Sequence, residues 1–429
     1  MSASPTVRSA VLASVLGTVV EWYDFLVYGT AAALVFGKLF FPAADPAVGT
    51  IASLGAYAVG FIARPLGGAV FGHFGDRLGR KTMLMLTMLI MGAGTFLIGC
   101  LPTYASIGIW APVLLIVLRL MQGIGIGGEW GGAVLMVVEN APQRSRGLFG
   151  SLVQLGYPLG LMAATGAFAL AQFLPPEDFL AWGWRLPFLV SAVLVGVALF
   201  VRLRLAETPV FAGLRDAGAT ARVPLLEVLR RHRRAFLIAI GLKVSEIAWV
   251  SILTVFCIAY VTGTLHLPGK VIINGILLAG AVELVSMPLA GWLSDRVGRK
   301  PIYIAGTLFS IAAAFPLFWL LDTRDPLIIV LTVAVALSFG QGIMFCLHAS
   351  FMPELFGTRV RYSGISMGFQ IGAALSGGFT PVIAAALLAR AGGTWPVSLY
   401  LIVLAVVSLV SVLLTRETSS DDLTVAMLE

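Results

Sequence analysis

Charge is what this chain has least of. Asp, Glu, Lys and Arg together make up 11% of its 429 residues, where a soluble globular domain carries roughly a quarter. Cysteine is scarce too. Cys100, Cys257 and Cys346 fall in or beside apolar segments without metal-ligand spacing, and those positions exclude a disulfide scaffold. Only four histidines occur. No nucleophile–base set, metal spacing or phosphate-binding loop is legible, so the sequence is not read as an enzyme's and calls for no cofactor and no metal.

Apolar residues fill the space that charge leaves. They make up 59% of the chain, and at about 20 residues per crossing its length allows about twelve membrane-spanning helices. The first apolar stretch is too long, and carries acids, for a cleavable signal peptide. The expected class is therefore an all-α membrane protein in a lipid bilayer.

The net charge of +7 is a matter of topology. Most Lys and Arg lie in loops of one side, among them Arg77, Arg80, Lys81, Arg144, Arg146, Arg296, Arg299, Lys300, Arg359, Arg361 and the Arg-Arg-His-Arg-Arg run at 230–234. Lys38, Arg185, Lys270, Arg324 and Arg390 lie on the other side. The positive-inside rule makes the basic side cytoplasmic, with both termini on it. The 230–234 run reads as a membrane-surface anchor, and no nucleic-acid partner is expected.

One polar stretch occurs twice. Gly72-His-Phe-Gly-Asp76-Arg77-Leu-Gly-Arg80-Lys81 returns as Gly291-Trp-Leu-Ser-Asp295-Arg296-Val-Gly-Arg299-Lys300. Each copy joins two long apolar segments, and three cations per copy place it in water beside the bilayer. A second landmark repeats as well: Glu139-x4-Arg144-x-Arg146 returns as Glu354-x4-Arg359-x-Arg361. The offsets are 219 residues for the hinge aspartates and 215 for the glutamates. Together they predict a six-plus-six duplication: residues 1–205, a cytoplasmic linker at 206–234, and 235–429.

Ionic and polar residues inside apolar segments mark candidate sites, because hydrocarbon penalises them. The first segment (11–36) carries Glu21, Tyr23, Asp24 and Tyr28; the second (48–71) carries Arg64; the third (83–101) carries nothing notable. The fourth (110–138) holds Arg119, Gln122 and Glu129, with Gly123, Gly127 and Gly131 four apart on one face for close helix approach. The fifth (148–173) holds Gln154 and Tyr157, and the sixth (186–205) is featureless. The seventh (235–261) carries Lys243, Glu246 and Trp249, the first two three apart and able to pair. Glu283, His348, Gln341 and Gln370 are the conspicuous polar groups beyond it.

These residues carry a resemblance. The paired Gly-x3-Asp-Arg-x-Gly-Arg-Lys hinges are similar to the signature loops of the major facilitator superfamily. Gly123, Gly127, Glu139 and Arg146 resemble its sugar-porter-type pattern, departing at Met136, where that pattern has Leu, Ile, Phe or Tyr. The strings Glu21-Trp-Tyr-Asp-Phe25, Ala63-Arg-Pro-Leu-Gly-Gly68 and Gly127-Gly-Glu-Trp-Gly-Gly132 resemble the metabolite–proton symporter group. Glu354-Leu-Phe-Gly-Thr-Arg-Val-Arg-Tyr-Ser-Gly364 resembles its shikimate permease branch. The resemblance implies two pseudo-symmetric six-helix bundles in a bacterial inner membrane, working as a monomer with substrate between them. It also implies that Asp76 and Asp295 cap helices of the opposite bundle when the cytoplasmic side closes. Arg77, Arg80, Glu139, Arg146, Arg296, Arg299, Glu354 and Arg361 would complete that gate.

Function is then expected to be proton-coupled import of a small organic acid. Arg119 offers a bidentate fork for a carboxylate, against the alternative of a fixed pair with Glu21, Asp24 or Glu129. Asp24, Glu21, Glu129 and Glu246 are candidates for the coupled proton, since desolvation favours a neutral carboxyl. Gln122, Tyr23, Tyr28, Gln154, Tyr157, Lys243 and Trp249 are candidate pocket wall, each also readable as packing. Lys243 with Glu246 is either an ion pair that a substrate anion opens or a static one. Glu283 and His348 read as satisfied structural groups. The rival functions are symport of a zwitterionic osmolyte such as proline or betaine, whose branch carries a coiled-coil tail not seen after Arg416, and a solute sensor that transports nothing.

Overall fold

The protein is described by a computed structural model covering residues 5–42, 46–78, 80–127, 129–138, 141–203, 228, 232–357 and 361–419. Most of the expected linker and Glu139 lie outside the described residues. Asp76, Arg77 and Arg80 lie on helical backbone, with their side chains outside them.

Among the described residues eleven helices are long and apolar enough to cross a membrane, and the helix Arg80–Cys100, with a shorter apolar stretch at Met85–Cys100, joins them. They are α1 Ser14–Leu39, α2 Val48–Phe71, α3 Arg80–Cys100, α4 Trp110–Leu135, α5 Gln143–Ala171, α6 Gly183–Phe200, α7 Arg233–Thr264, α8 Gly269–Val297, α9 Arg299–Leu321, α10 Pro326–Glu354, α11 Arg361–Ala391 and α12 Trp395–Leu413. Among the described residues no strand occurs, as hydrocarbon demands of any spanning structure that is not a closed barrel. Large apolar side chains point outward, with Leu66 62% exposed and Val193 65%. Trp110, Trp182, Trp319 and Trp395 are exposed at the helix ends away from the Arg-rich loops, where an aromatic belt meets the headgroups.

The duplication is visible in the packing. Helix pairs α1–α5, α2–α4, α3–α4 and α3–α6 in the first half return as α7–α11, α8–α10, α9–α10 and α9–α12 in the second. The two halves meet through α5 against α8 and α2 against α11, which the same symmetry exchanges. It reaches local irregularities too: α1 widens to a π-helical turn at Ala32–Phe36, and α7 does so at Ile252–Phe256, 220 residues on. Such turns concentrate where helices line functional sites.

The glycines of α4 do what their spacing predicts. A Cβ on Gly123 would lie 2.1 Å from the Gly60 carbonyl oxygen, and one on Gly127 would lie 2.0 Å from that of Arg64. Only backbone without side chains lets α2 and α4 approach this closely. Gly131 faces the other half, where a Cβ would meet Ser366 Oγ at 2.1 Å.

Candidate functional site

In the first half the central group is Arg119. Its side chain is fully buried, and its guanidinium carbon lies 4.1 Å from the Tyr28 ring centroid and 4.4 Å from that of Phe25. Gly60 makes the room, since a Cβ there would fall 2.4 Å from Arg119 Nε. Nη1 donates to Gln122 Oε1 at 3.0 Å, and Gln122 Nε2 donates to Thr95 Oγ1 at 2.7 Å. Nε and Nη2 have no acceptor among the described residues. These two nitrogens form one edge of the guanidinium plane, the edge that holds both oxygens of a carboxylate at once.

The acids of α1 are arranged differently from one another. Asp24 turns into its own bundle and accepts from Ser191 Oγ of α6 at 2.5 Å, leaving its second oxygen without a donor. Neither α3 nor α6 was expected to contribute, yet Thr95 of α3 accepts from Gln122 and Ser191 of α6 donates to Asp24. A lone hydroxyl in an apolar helix carries no periodic signal, so only packing reveals them. Tyr23 also points to α6, donating to the Pro187 carbonyl at 2.6 Å, so its hydroxyl is engaged there and not in a pocket wall. Arg64 lies beside the same ring system, 4.1 Å from Phe25 and 4.5 Å from Phe61. Glu21 and Glu129 are both buried and both partnered.

The second half presents a closed ion pair. Lys243 and Glu246, both fully buried on α7, are joined directly. Glu246 accepts at its other oxygen from Gln341 Nε2 at 3.1 Å. His348 Nδ1 stands 3.8 Å from it, and His348 Nε2 is 3.2 Å from the Tyr303 hydroxyl. Lys243 Nζ also lies 3.9 Å from the Phe369 ring centroid.

Aromatic and amide groups fill the space between the halves. Trp130 of α4 stacks on Phe369 of α11 with centroids 3.9 Å apart. Its indole nitrogen donates to Gln154 Oε1 at 3.2 Å, and Gln154 Nε2 donates across to the Phe345 carbonyl at 3.0 Å. Tyr157 packs edge-on against Phe345. Gln154 and Tyr157, expected as pocket wall, are thus placed at the seam between the halves. The Trp249 indole nitrogen and the Tyr157 and Tyr28 hydroxyls are buried without partners.

Several of the residues expected to form a gate come together on the face carrying the basic loops. Asp295 of α8 accepts from the backbone N–H groups of Gly147 and Leu148 at 2.8 and 2.9 Å. It thereby caps the N-terminal end of α5 in the opposite half, where free N–H groups and the helix dipole favour a carboxylate. Arg299 Nη1 donates to Asp295 Oδ1 at 2.7 Å, and Nη2 reaches Glu354 Oε1 at 3.5 Å. Arg361 braces the same corner, donating from Nε to the Pro353 and Phe356 carbonyls at 3.1 Å. Arg146 is buried and partnered at the start of α5. Arg296 departs from the expectation: it is exposed and stacks on Trp292 at 3.8 Å, because one residue past Asp295 on a helix points about 100° away.

Two residues at this corner were absent from the sequence reading. Glu417 accepts from the Arg299 and Lys300 backbone N–H groups at 2.8 and 3.0 Å, capping α9. Burial opposes its ionisation, yet these backbone donors prevail and hold its carboxyl below the ordinary value. Thr418 Oγ1 donates to Glu354 Oε2 at 2.6 Å. Lys300 Nζ and Arg234 in turn donate to carbonyls at the end of α12. No hydrophobic periodicity announces a segment that acts through its backbone partners.

Comparison with known proteins agrees with this architecture. The family model for the Major Facilitator Superfamily matches residues 15–377. The chain is 44% identical over 414 residues to the shikimate transporter of Escherichia coli K12, covering 96% of this chain and 94% of that one. It is 41% identical over 422 residues to the inner membrane metabolite transport protein YhjE of the same strain, covering 97% and 96%. It is 37% identical over 435 residues to the proline/betaine transporter of Salmonella typhimurium, covering 97% of this chain and 85% of that one. The structure of the proton:xylose symporter XylE bound to 6-bromo-6-deoxy-D-glucose superposes with a TM-score of 0.74 at 17% identity, over 97% of each chain. Apolar helices in two symmetry-related halves, a family model matched over residues 15–377 and transporter relatives matched along nearly the whole chain place it among membrane transporters rather than enzymes: the protein belongs to the major facilitator superfamily.

Proposed function

We propose that this transporter is a proton symporter importing a small organic acid by alternating access, with residues 1–205 and 235–429 rocking about the seam. The carrying observation is Arg119: a fully buried guanidinium whose carboxylate-binding edge has no acceptor. A buried cation left this way costs several kcal/mol unless an anion arrives. Fixed pairing with Glu21, Asp24 or Glu129 does not account for that edge, since no carboxylate lies within hydrogen-bonding reach of it. The aromatic faces of Phe25, Tyr28 and Tyr57 around it suit a small, largely apolar body attached to the acid. Asp24 is the proton carrier of this half: it is fully buried, accepts from Ser191 of α6 through one oxygen and keeps the other free among the described residues. Loading with one anion and one proton leaves the cavity's charge balanced against Arg119, which lets the loaded seam close.

The basic face is cytoplasmic in this reading, in a bacterial inner membrane, and the Asp295–Arg299–Glu354 latch is the inward gate. The test is a ligand-stabilisation screen of purified protein against shikimate, dicarboxylates, tricarboxylates, aromatic acids and betaines, followed by uptake of the best acid into proteoliposomes. Saturable, gradient-dependent accumulation that Arg119→Lys weakens supports the reading. Accumulation that persists after the proton gradient is collapsed refutes coupling. Binding without accumulation indicates a sensor, and preferential stabilisation by betaine indicates an osmolyte symporter.

A further inference from the structure

Glu283 of α8 is a deeply buried acid of the second half that the transport reading leaves unused. Its side chain is fully buried, and neither carboxylate oxygen has a donor among the described residues. It lies against the bare backbone of α10: a Cβ on Gly342 would stand 3.1 Å from Glu283 Oε1. Gly342 ends the π-helical stretch Ala336–Gly342, and its neighbour Gln341 donates to Glu246 instead. The titratable groups that feel Glu283 are Glu246 of α7, Tyr157 of α5 and Cys346 of α10, and beyond Glu246 stand Lys243 of α7, His348 of α10 and Tyr303 of α9. The cation among them is already taken, because Lys243 is bound to Glu246. The acid nearest in effect, Glu246, repels a second negative charge.

An ionised carboxylate here has neither a donor nor a free cation among the described residues to hold it. The site is also next to the moving contact. Three residues earlier on α8, Gly280 meets α5 so closely that a Cβ would lie 2.5 Å from Met162 Cγ and 3.3 Å from the Pro158 carbonyl oxygen. The Tyr157 hydroxyl, on α5 and also without a partner, looks across that contact. Separation of α5 from α8 therefore brings water toward Glu283, and closure removes it.

We propose that Glu283 is a second proton-binding position, in the C-terminal bundle, that carries its proton in the closed conformation and exchanges it with water when the α5–α8 contact opens. In the exchange the carboxylic O–H bond breaks and its proton passes to a water molecule, leaving the carboxylate; reprotonation from water on the other side reverses the step. Only the coupling role rests on the transporter reading. Proton occupancy at Glu283 is independent of any substrate.

The test separates the two. Infrared difference spectra of the purified protein in lipid nanodiscs, taken between acid and alkaline buffer, contain the carbonyl stretch of each protonated carboxyl. Glu283→Gln, which keeps the shape of the neutral acid, is expected to remove one such band while Glu246→Gln keeps it. Glu283→Asp, a second reading should the glutamine variant not fold, is expected to move the band. A spectrum unchanged in both variants overturns the proposal. In proteoliposomes loaded with shikimate as probe, Glu283→Gln is expected to keep counterflow and to lose about tenfold or more of gradient-driven accumulation. Accumulation equal to the unsubstituted protein's overturns the coupling role. Shikimate transport by neither protein refutes shikimate as substrate, and the infrared result still decides the proton site.

Discussion

Two buried cations, one in each half, are held in opposite ways. Lys243 is saturated: it has Glu246, which in turn has Gln341 and His348 at its flanks. Arg119 is left open, with a neutral amide on one nitrogen, aromatic faces around it and an empty carboxylate-binding edge. The symmetry that makes the two halves alike in backbone does not extend to these charges. A satisfied pair is a poor place to bind a new anion, because something must first be displaced. An unsatisfied guanidinium is a poor structural element and a good receptor. The difference assigns anchoring to the first half and makes the second half's ions a matter of packing and protons.

The largest effect expected from this contrast is on stability, in the second half. Lys243→Met strands Glu246 and should cost about 3–5 kcal/mol, most of it recovered in the double variant Lys243→Met/Glu246→Gln. Thermal unfolding of the three variants measures this, and equal losses in single and double variants would erase the distinction. Arg119→Met is expected to behave in the reverse sense. Removing an unpaired charge should hold or raise the melting temperature, while the apparent affinity for the transported acid falls about 10- to 100-fold. A melting temperature that collapses with affinity unchanged would make Arg119 structural after all.

A smaller effect is expected at the gate. Asp295→Asn keeps one acceptor oxygen, puts an amide donor in place of the other and removes the charge from the α5 N-terminus, a loss of about 1 kcal/mol. The population open on the basic face should rise about fivefold. The rate at which a polar maleimide modifies a Ser151→Cys reporter reads that population, since Ser151 lies behind Gly291 at the closed contact. The smallest effect is that of pH on the tail. The Glu417 carboxyl is held below its ordinary value of 4.5, so its capping of α9 is fully present above that value. It is lost as pH falls below it, through the depressed folded-state value. Hydrogen exchange at the Arg299 and Lys300 amides should accelerate over that window, and Glu417→Gln should flatten the response.

The chain's own letters settled a good deal. Low charge and long apolar runs dictate spanning helices, because unpaired backbone cannot lie in lipid. The duplicated hinges, offset by 219 residues, dictate the six-plus-six symmetry, and glycines four apart on α4 dictate a tight helix contact. Arg119 and Lys243 stand out as ions in hydrocarbon for the same physical reason. Tertiary structure alone decided which of the two was paired, since i,i+3 spacing permits the Lys243–Glu246 bond while nothing local supplies Arg119 with an acid. It alone brought Thr95, Ser191, Gly60 and Glu417 into play, residues whose contribution is one hydroxyl, one missing Cβ or one backbone-capping carboxylate. Such groups leave no period in a sequence. Their meaning comes from what a distant helix places within three ångströms of them.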